Sequence, residues 1–266
     1  MTVYLKLFRN AFRSHFAYKI DAVFRAIRQS ITMLVQISVW LALYAFRDGA
    51  GIGANNIGLQ TMIWYVIISA GVNSLVESNA IYLVEDKVRS GMIATDLIKP
   101  LHFQRYIFSI SAGNSIYNFV FHFLPMLVIF APIFGMYTPR LETIAIFAIT
   151  LMGGMAISFL LSYILGLVAF WYMQVWHLGR LLYDFTRLFA GSFIPLWFFP
   201  DTLYSISLFL PFRFIFFVPI SIFLEDVTLT DSLWLVLQQW AWIGALFLLT
   251  RLVWRKAQGK LVVQGG

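Results

Sequence analysis

Six apolar stretches, near 27–45, 59–83, 106–130, 144–171, 179–199 and 233–252, leave this chain few ways to fold. Each approaches the roughly 20 residues that a helix needs to cross about 30 Å of hydrocarbon. Inside a bilayer no water satisfies peptide groups, so such segments must be helical. The expected fold class is an all-α integral membrane protein with six transmembrane helices, forming one domain over residues 1–266. Composition agrees: apolar residues make up 61% and charged residues 12% of the chain. Soluble domains hold about 45–50% and about 25%, so a soluble fold is excluded.

The basic residues orient the spans. Sixteen of the 19 Lys and Arg fall within 1–28, 87–105, 180–187 and 251–260, leaving Arg47, Arg140 and Arg213 for the opposite side. Cytoplasmic loops carry such an excess. Both termini and the connection 85–105 are therefore expected in the cytoplasm. This bias also accounts for the net charge of +7, with no basic patch left over for nucleic acid. Zero cysteines exclude disulfides, thiolate catalysis and thiolate-bound metals.

Residues 1–25 set Tyr4, Leu5, Leu7, Phe8, Phe12, Phe16 and Ile20 among basic positions at helical spacing. That pattern predicts an amphipathic helix on the cytoplasmic membrane surface, and it is unlike a cleavable leader. A short outer loop with Gly49, Gly51, Gly53, Asn55 and Asn56 precedes the second span. Beyond the fifth stretch, Pro200-Asp201 breaks the helix, and Pro211 and Pro219 interrupt the rest of the apolar run. The apolar pieces 201–210 and 212–224 are too short to cross. They predict an outer re-entrant hairpin over 200–224.

Polar residues recur inside the spans. Gln29, Thr32 and Gln36 lie in the first, Ser69, Asn73, Ser74, Glu77 and Ser78 in the second, and Ser111, Asn114, Ser115, Asn118 and His122 in the third. Left unpaired in lipid they are costly, so they must face the bundle or a wet cavity. Two readings stand: interhelical hydrogen bonds that hold the bundle together, or a substrate path. Gln36, Asn73, Glu77 and Asn118 are the candidates for the path, with Glu77 suited to a cationic amphiphile. Gly154, Ser158, Ser162 and Gly166 make a small-residue ridge that admits a close neighbour. Arg180, Asp184 and Arg187 share a helix face, and two readings stand: an internally paired triad, or an interfacial helix start with snorkelling arginines.

Motifs of catalysis are missing. No Gly-x4-Gly-Lys-Ser/Thr loop, no histidine pair at i, i+4 and no Gly-x-Ser-x-Gly occurs. ATP would have to be handled by another chain, and no cofactor is expected here.

The amphipathic N-terminus, six spans and broken apolar segment together resemble the permease subunits of ABC-2-type transporters, over essentially the whole chain. Arg89-Ser-Gly-Met-Ile-Ala-Thr-Asp-Leu-Ile-Lys-Pro-Leu101 is similar to a G-x-I-x-x-D-L-x-x-P stretch in one subgroup of these permeases. Phe193-Ile-Pro-Leu-Trp-Phe-Phe-Pro200 with Leu210-Pro-Phe212 is similar to that subgroup's outer re-entrant element. The resemblance implies an exporter subunit in a bacterial cytoplasmic membrane. It would pair with a second permease chain, identical or homologous, and with two cytosolic ATPase subunits that bind the ATP. A hydrophobic or amphiphilic substrate would leave the cytoplasm or inner leaflet. Docking on the ATPase falls to Gly91, Asp96, Leu97 and Pro100, flanked by Glu85, Asp86, Lys87, Arg89 and Lys99. An outer gate falls to Phe193, Trp197, Phe198, Pro200, Pro211 and Arg213. A membrane-embedded enzyme acting on lipid-linked groups, or a non-transporting scaffold or sensor subunit, are the competing readings.

Overall fold

The computed structural model describes residues 2–17, 19–46 and 57–260. Arg47 and the Gly- and Asn-rich loop of Gly49, Gly51, Gly53, Asn55 and Asn56 lie outside the described residues. The described chain is helical: α1 (Thr2–Ser14), α2 (Lys19–Ala45), α3 (Leu59–Val76), α4 (Ala80–Arg89), α5 (Met92–Ile98), α6 (Phe103–Asn118), α7 (Leu124–Ile133), α8 (Leu141–Leu167), α9 (Ala169–Tyr172), α10 (Trp176–Phe189), α11 (Asp201–Leu208), α12 (Phe217–Phe223) and α13 (Leu229–Gln258). A π-turn, Phe119–Phe123, joins α6 to α7. Pro125 lacks the N–H that a regular helix would direct to Phe121, and the wider turn accommodates the loss.

Five helical segments are long and apolar enough to cross a membrane: Ala22–Ala45, Leu59–Arg89, Phe103–Ile133, Leu141–Tyr172 and Leu229–Gln258. The expected fifth span, 179–199, is not one helix. Its helical part, α10, has 14 residues, about 21 Å at 1.5 Å per residue. It ends at Ala190 and Gly191, where φ is +74°. The N-terminal region divides differently as well. The break falls at the 3-10 turn His15–Ala17, so residues 19–25 begin α2 instead of extending α1.

At the centre stands α3, buried on every side from Met62 to Val76. A helix apolar all round is one surrounded by others. Its outer neighbours keep one face inward: on α2 the buried residues are Met33, Ile37, Trp40 and Tyr44, while Ile31, Val35 and Val39 are exposed. Such apolar surface suits contact with lipid tails. The half-buried face of α1 rests on α6, where the Phe8 carbonyl would stand 2.6 Å from any Cβ at position 113. Gly113 is what admits that approach.

The small-residue ridge of α8 receives two neighbours. A Cβ on Gly154 would stand 3.1 Å from the carbonyls of Phe214 and Ile215, and one on Gly166 would stand 3.0 Å from the Ile81 Cα. On the far side Gln239, wholly buried in α13, donates to the carbonyls of Thr150 at 2.8 Å and Phe214 at 3.0 Å. Glu225, beyond α12, accepts from the Arg140 N–H at 2.8 Å and the Thr143 hydroxyl at 3.2 Å, capping α8. The Arg140 backbone N–H holds the Glu225 carboxyl below its usual range, against slight desolvation and with help from Thr143 and the Arg140 charge.

Candidate functional site

The second membrane-length segment is interrupted where its polar residues lie. Glu77 closes α3 in extended conformation (ψ 111°), and α4 begins only at Ala80. An interruption at such depth leaves peptide groups without helical partners, and they must be satisfied from elsewhere. Two serines of neighbouring helices do so, and a third meets a side chain there. The Ser115 hydroxyl donates to the Glu77 carbonyl at 3.3 Å. The Ser162 hydroxyl donates to the Ser78 carbonyl at 3.2 Å and accepts from the Ile81 N–H at 3.0 Å. Ser111 meets the Ser78 hydroxyl at 3.2 Å. The serines of these stripes therefore bind the bundle together.

The longer polar side chains have a different place. Gln36, Asn73, Glu77 and Asn118, from α2, α3 and α6, line one cavity of about 710 Å³. All four path candidates are brought together. Arg25, Arg28, Gln29, His15, Asn114 and His122 join them, and α10 contributes Tyr183 and Arg187. Gln29 donates to the Ala70 carbonyl at 3.1 Å. His15 shares a 3.0 Å hydrogen bond with Asn114 and stacks on Tyr117 at 4.5 Å, so the end of α1 helps to wall the cavity. The volume suits a drug-sized or lipid-sized occupant.

Toward the C-terminal end of α2 the cavity is bordered by aromatic rings. Phe193 and Phe216 line it. Beyond them Trp197 packs edge-on against Tyr65 at 5.4 Å and Phe217 at 5.2 Å, and Phe198 lies 5.2 Å from Trp40. Of the gate candidates, Phe193, Trp197 and Phe198 thus cluster, with Phe193 on the cavity itself. Pro200 sets the start of α11, and buried Pro211 opens a 3-10 turn, Pro211–Phe214. Arg213 sits apart, 2.6 Å from the Gln238 amide oxygen and over the Phe214 ring, in a groove bounded by α11 and α13.

The motif between α4 and α6 forms a compact turn. Gly91 adopts φ +74°, a left-handed conformation that L side chains resist, and it reverses the chain between α4 and α5. Asp96 is buried and bridges Lys87 at 2.8 Å and Lys99 at 2.6 Å. Desolvation raises its carboxyl, but the hydrogen bonds and charges of the two lysines outweigh this and hold it below the usual range. Glu85 is buried on α4, and Asp86 and Arg89 pair at the surface at 3.7 Å. Lys99 takes the extended backbone that Pro100 imposes, ending α5. Leu97 turns partly into the core, whereas Ile98 is 85% exposed and Met92 45%. Of the apolar pair Leu97-Ile98, Ile98 is therefore the outward tip.

The family model described as ABC-2 family transporter protein matches residues 23–265. The chain belongs to this family. It is a multi-pass membrane permease of the ABC transporter class. No curated protein sequence matches it.

Two features of this permease escaped the sequence reading. Gln239 ties α13 to α8 and to the carbonyl of Phe214; its signal was an amide within an apolar span. A paired triad would join Arg187 to Arg180 and Asp184. Instead Arg180 engages Asp184 at 3.7 Å, and Arg187 turns onto the cavity over Tyr183 and Phe193.

Proposed function

We propose that this permease is the transmembrane subunit of an ATP-driven exporter. It works with two cytosolic ATPase subunits and a second permease chain, identical or homologous. Hydrophobic or amphiphilic molecules from the cytoplasm or inner leaflet are its substrates. The observation that carries this reading is the convergence of Gln36, Asn73, Glu77 and Asn118, from three helices, on one large cavity. Polar side chains bordering lipid are costly, and a wet path is the economical reason for collecting them.

In this reading both termini and α5 face the cytoplasm of a bacterial inner membrane, in keeping with the positive-inside bias. Exposed Ile98 and Met92 present an apolar tip to the ATPase, held at a fixed angle by the Gly91 turn and the Lys87–Asp96–Lys99 bridge. The segment 200–224 dips from the outer side and returns. Its Phe214 carbonyl meets Gln239, ten residues or about 15 Å along α13 from Leu229. With Trp197 and Phe198 it forms the outer gate.

Tagged permease purified from its native membrane should bring down an ATPase, and Ile98→Asp should abolish that association while the melting temperature in detergent is unchanged. Stable association of the Ile98→Asp variant with the ATPase, or substrate export by the permease without any ATPase, would overturn the reading.

A further inference from the structure

The charge lining the cavity narrows its occupant, given that the cavity is the substrate path just proposed. One carboxylate, Glu77, faces three guanidinium groups, those of Arg25, Arg28 and Arg187. They are not equivalent. Glu77 follows the last turn of α3, about 27 Å along the axis from Leu59, so it stands near one boundary of a hydrocarbon layer about 30 Å thick. Arg28 and Arg25 are the cations within electrostatic reach of it.

Arg187 lies deeper. Its depth follows from Ser192, whose carbonyl accepts from the Ser69 hydroxyl at 3.0 Å. Ser69 is ten residues, about 15 Å, from Leu59, midway through the layer. Arg187 precedes Ser192 by little more than one helical turn. Among the described residues no carboxylate comes within 4.0 Å of Arg187, and no group accepts a hydrogen bond from it. Its guanidinium carbon lies 5.6 Å from the Tyr183 ring centre and 5.3 Å from that of Phe193. Cation–π contacts of this kind use no hydrogen-bond acceptor and leave the guanidinium N–H groups available. An ionisable side chain this far into a membrane marks a functional position. The edge of a guanidinium matches the paired oxygens of a phosphate or carboxylate.

We propose that Arg187 anchors the oxyanion head group of an amphiphilic substrate, a phosphate or carboxylate on an apolar body. Arg28, beside Glu77, attracts the head group into the cavity, and Arg187, away from that carboxylate, receives it. The apolar body rests on Phe193, Phe216 and Met33. A cationic amphiphile, the occupant suggested by Glu77 alone, would meet three like charges for each carboxylate.

Purified permease in an uncharged maltoside detergent provides the test, with dodecyl phosphate, dodecyltrimethylammonium and dodecanol as probes and saturable thermal stabilisation as the readout. Dodecyl phosphate should bind most tightly. Arg187→Ala should weaken it at least 10-fold, Arg187→Lys and Arg28→Gln by a few fold, with dodecanol affected by none of them. If Arg187→Ala fails to fold, Arg187→Gln and the salt dependence of dodecyl phosphate binding carry the test. Tighter binding of dodecyltrimethylammonium, abolished by Glu77→Gln and indifferent to Arg187, would overturn the anionic assignment and leave the transport reading intact. Saturable binding of none of the three probes would sink both. Competition by added phosphatidylglycerol would identify the bilayer as the source of the substrate, and its absence would identify a soluble anionic amphiphile; either outcome supports the oxyanion site.

Discussion

Two interruptions in the helical pattern, at 77–79 and at 190–216, meet the same physical demand by different means. Both remove helical hydrogen bonds inside an apolar protein, and both must recover them. At 77–79 the recovery comes from the short hydroxyls of Ser115 and Ser162, supplied by α6 and α8, with Ser111 meeting the Ser78 hydroxyl. At 190–216 it comes from a mixture of long and short donors. Tyr65 donates to the Gly191 carbonyl at 2.6 Å, Ser69 to Ser192 at 3.0 Å and Gln239 to Phe214 at 3.0 Å, while the Phe217 N–H reaches the Ala190 carbonyl at 3.0 Å. The first interruption leaves Glu77 exposed to the cavity; the second is buried around Gly191 and Phe214. Serine hydroxyls serve at both interruptions, while the longer Tyr65 and Gln239 side chains are used only at the second. The first is held by near neighbours beside the cavity, and the second is tied to both α3 and α13.

The sharpest way to break this contrast is Gln239→Leu. It strands the Phe214 carbonyl and crowds Gly153 with a branched side chain, and it should cost roughly 2–4 kcal/mol. Thermal unfolding in detergent measures this, and hydrogen exchange should show protection lost across 211–217 first. Ser162→Ala is the counterpart at the first interruption. It removes two hydrogen bonds but leaves no large void, so about 1 kcal/mol is expected, with exchange rising at Ile81 and not at Phe214. Equal costs for the two variants would erase the distinction.

The smallest effect sharpens the comparison through pH. Both interruptions rely on neutral groups, whereas the α4–α5 turn relies on Asp96. Its carboxyl is held below the usual value of about 3.9. The stability it lends is therefore complete above that pH and fades as pH falls through the lowered value. Acidification below about pH 4 should loosen residues 92–99, read as faster proteolysis there. Asp96→Asn should show that looseness already at neutral pH and remove its pH dependence. Cleavage in 92–99 that is equally slow in both proteins at neutral pH would show that the bridge does not hold the turn.

Much of this was legible beforehand because a bilayer punishes unpaired polar groups. Gly91, Asp96 and Pro100 were identified from one short motif, and the backbone of each behaves as its residue type requires. The path candidates were legible as helical stripes. What remained hidden was which polar residues would hold the bundle and which would line a space. Spacing along one helix does not reveal what stands opposite, so Ser115 and Asn118 looked alike until α3 was seen to break between them and α8. Leu97 and Ile98 form one apolar pair in the sequence, and the angle at which the Gly91 turn delivers α5 decides that Ile98 faces out while Leu97 turns partly in.

The sequence by itself determined that this chain spans a membrane in apolar helices. Hydration of ions and peptide groups is strong enough to settle that from residue types alone. Only the tertiary structure decided that the fifth apolar stretch is a 14-residue helix followed by non-helical chain hydrogen-bonded to α3 and α13. It also decided that Arg187 turns to the cavity, apart from Arg180 and Asp184. Both depend on Tyr65 and Ser69 of α3 and Gln239 of α13 meeting the chain that follows α10, and no pattern along a single segment encodes such a meeting.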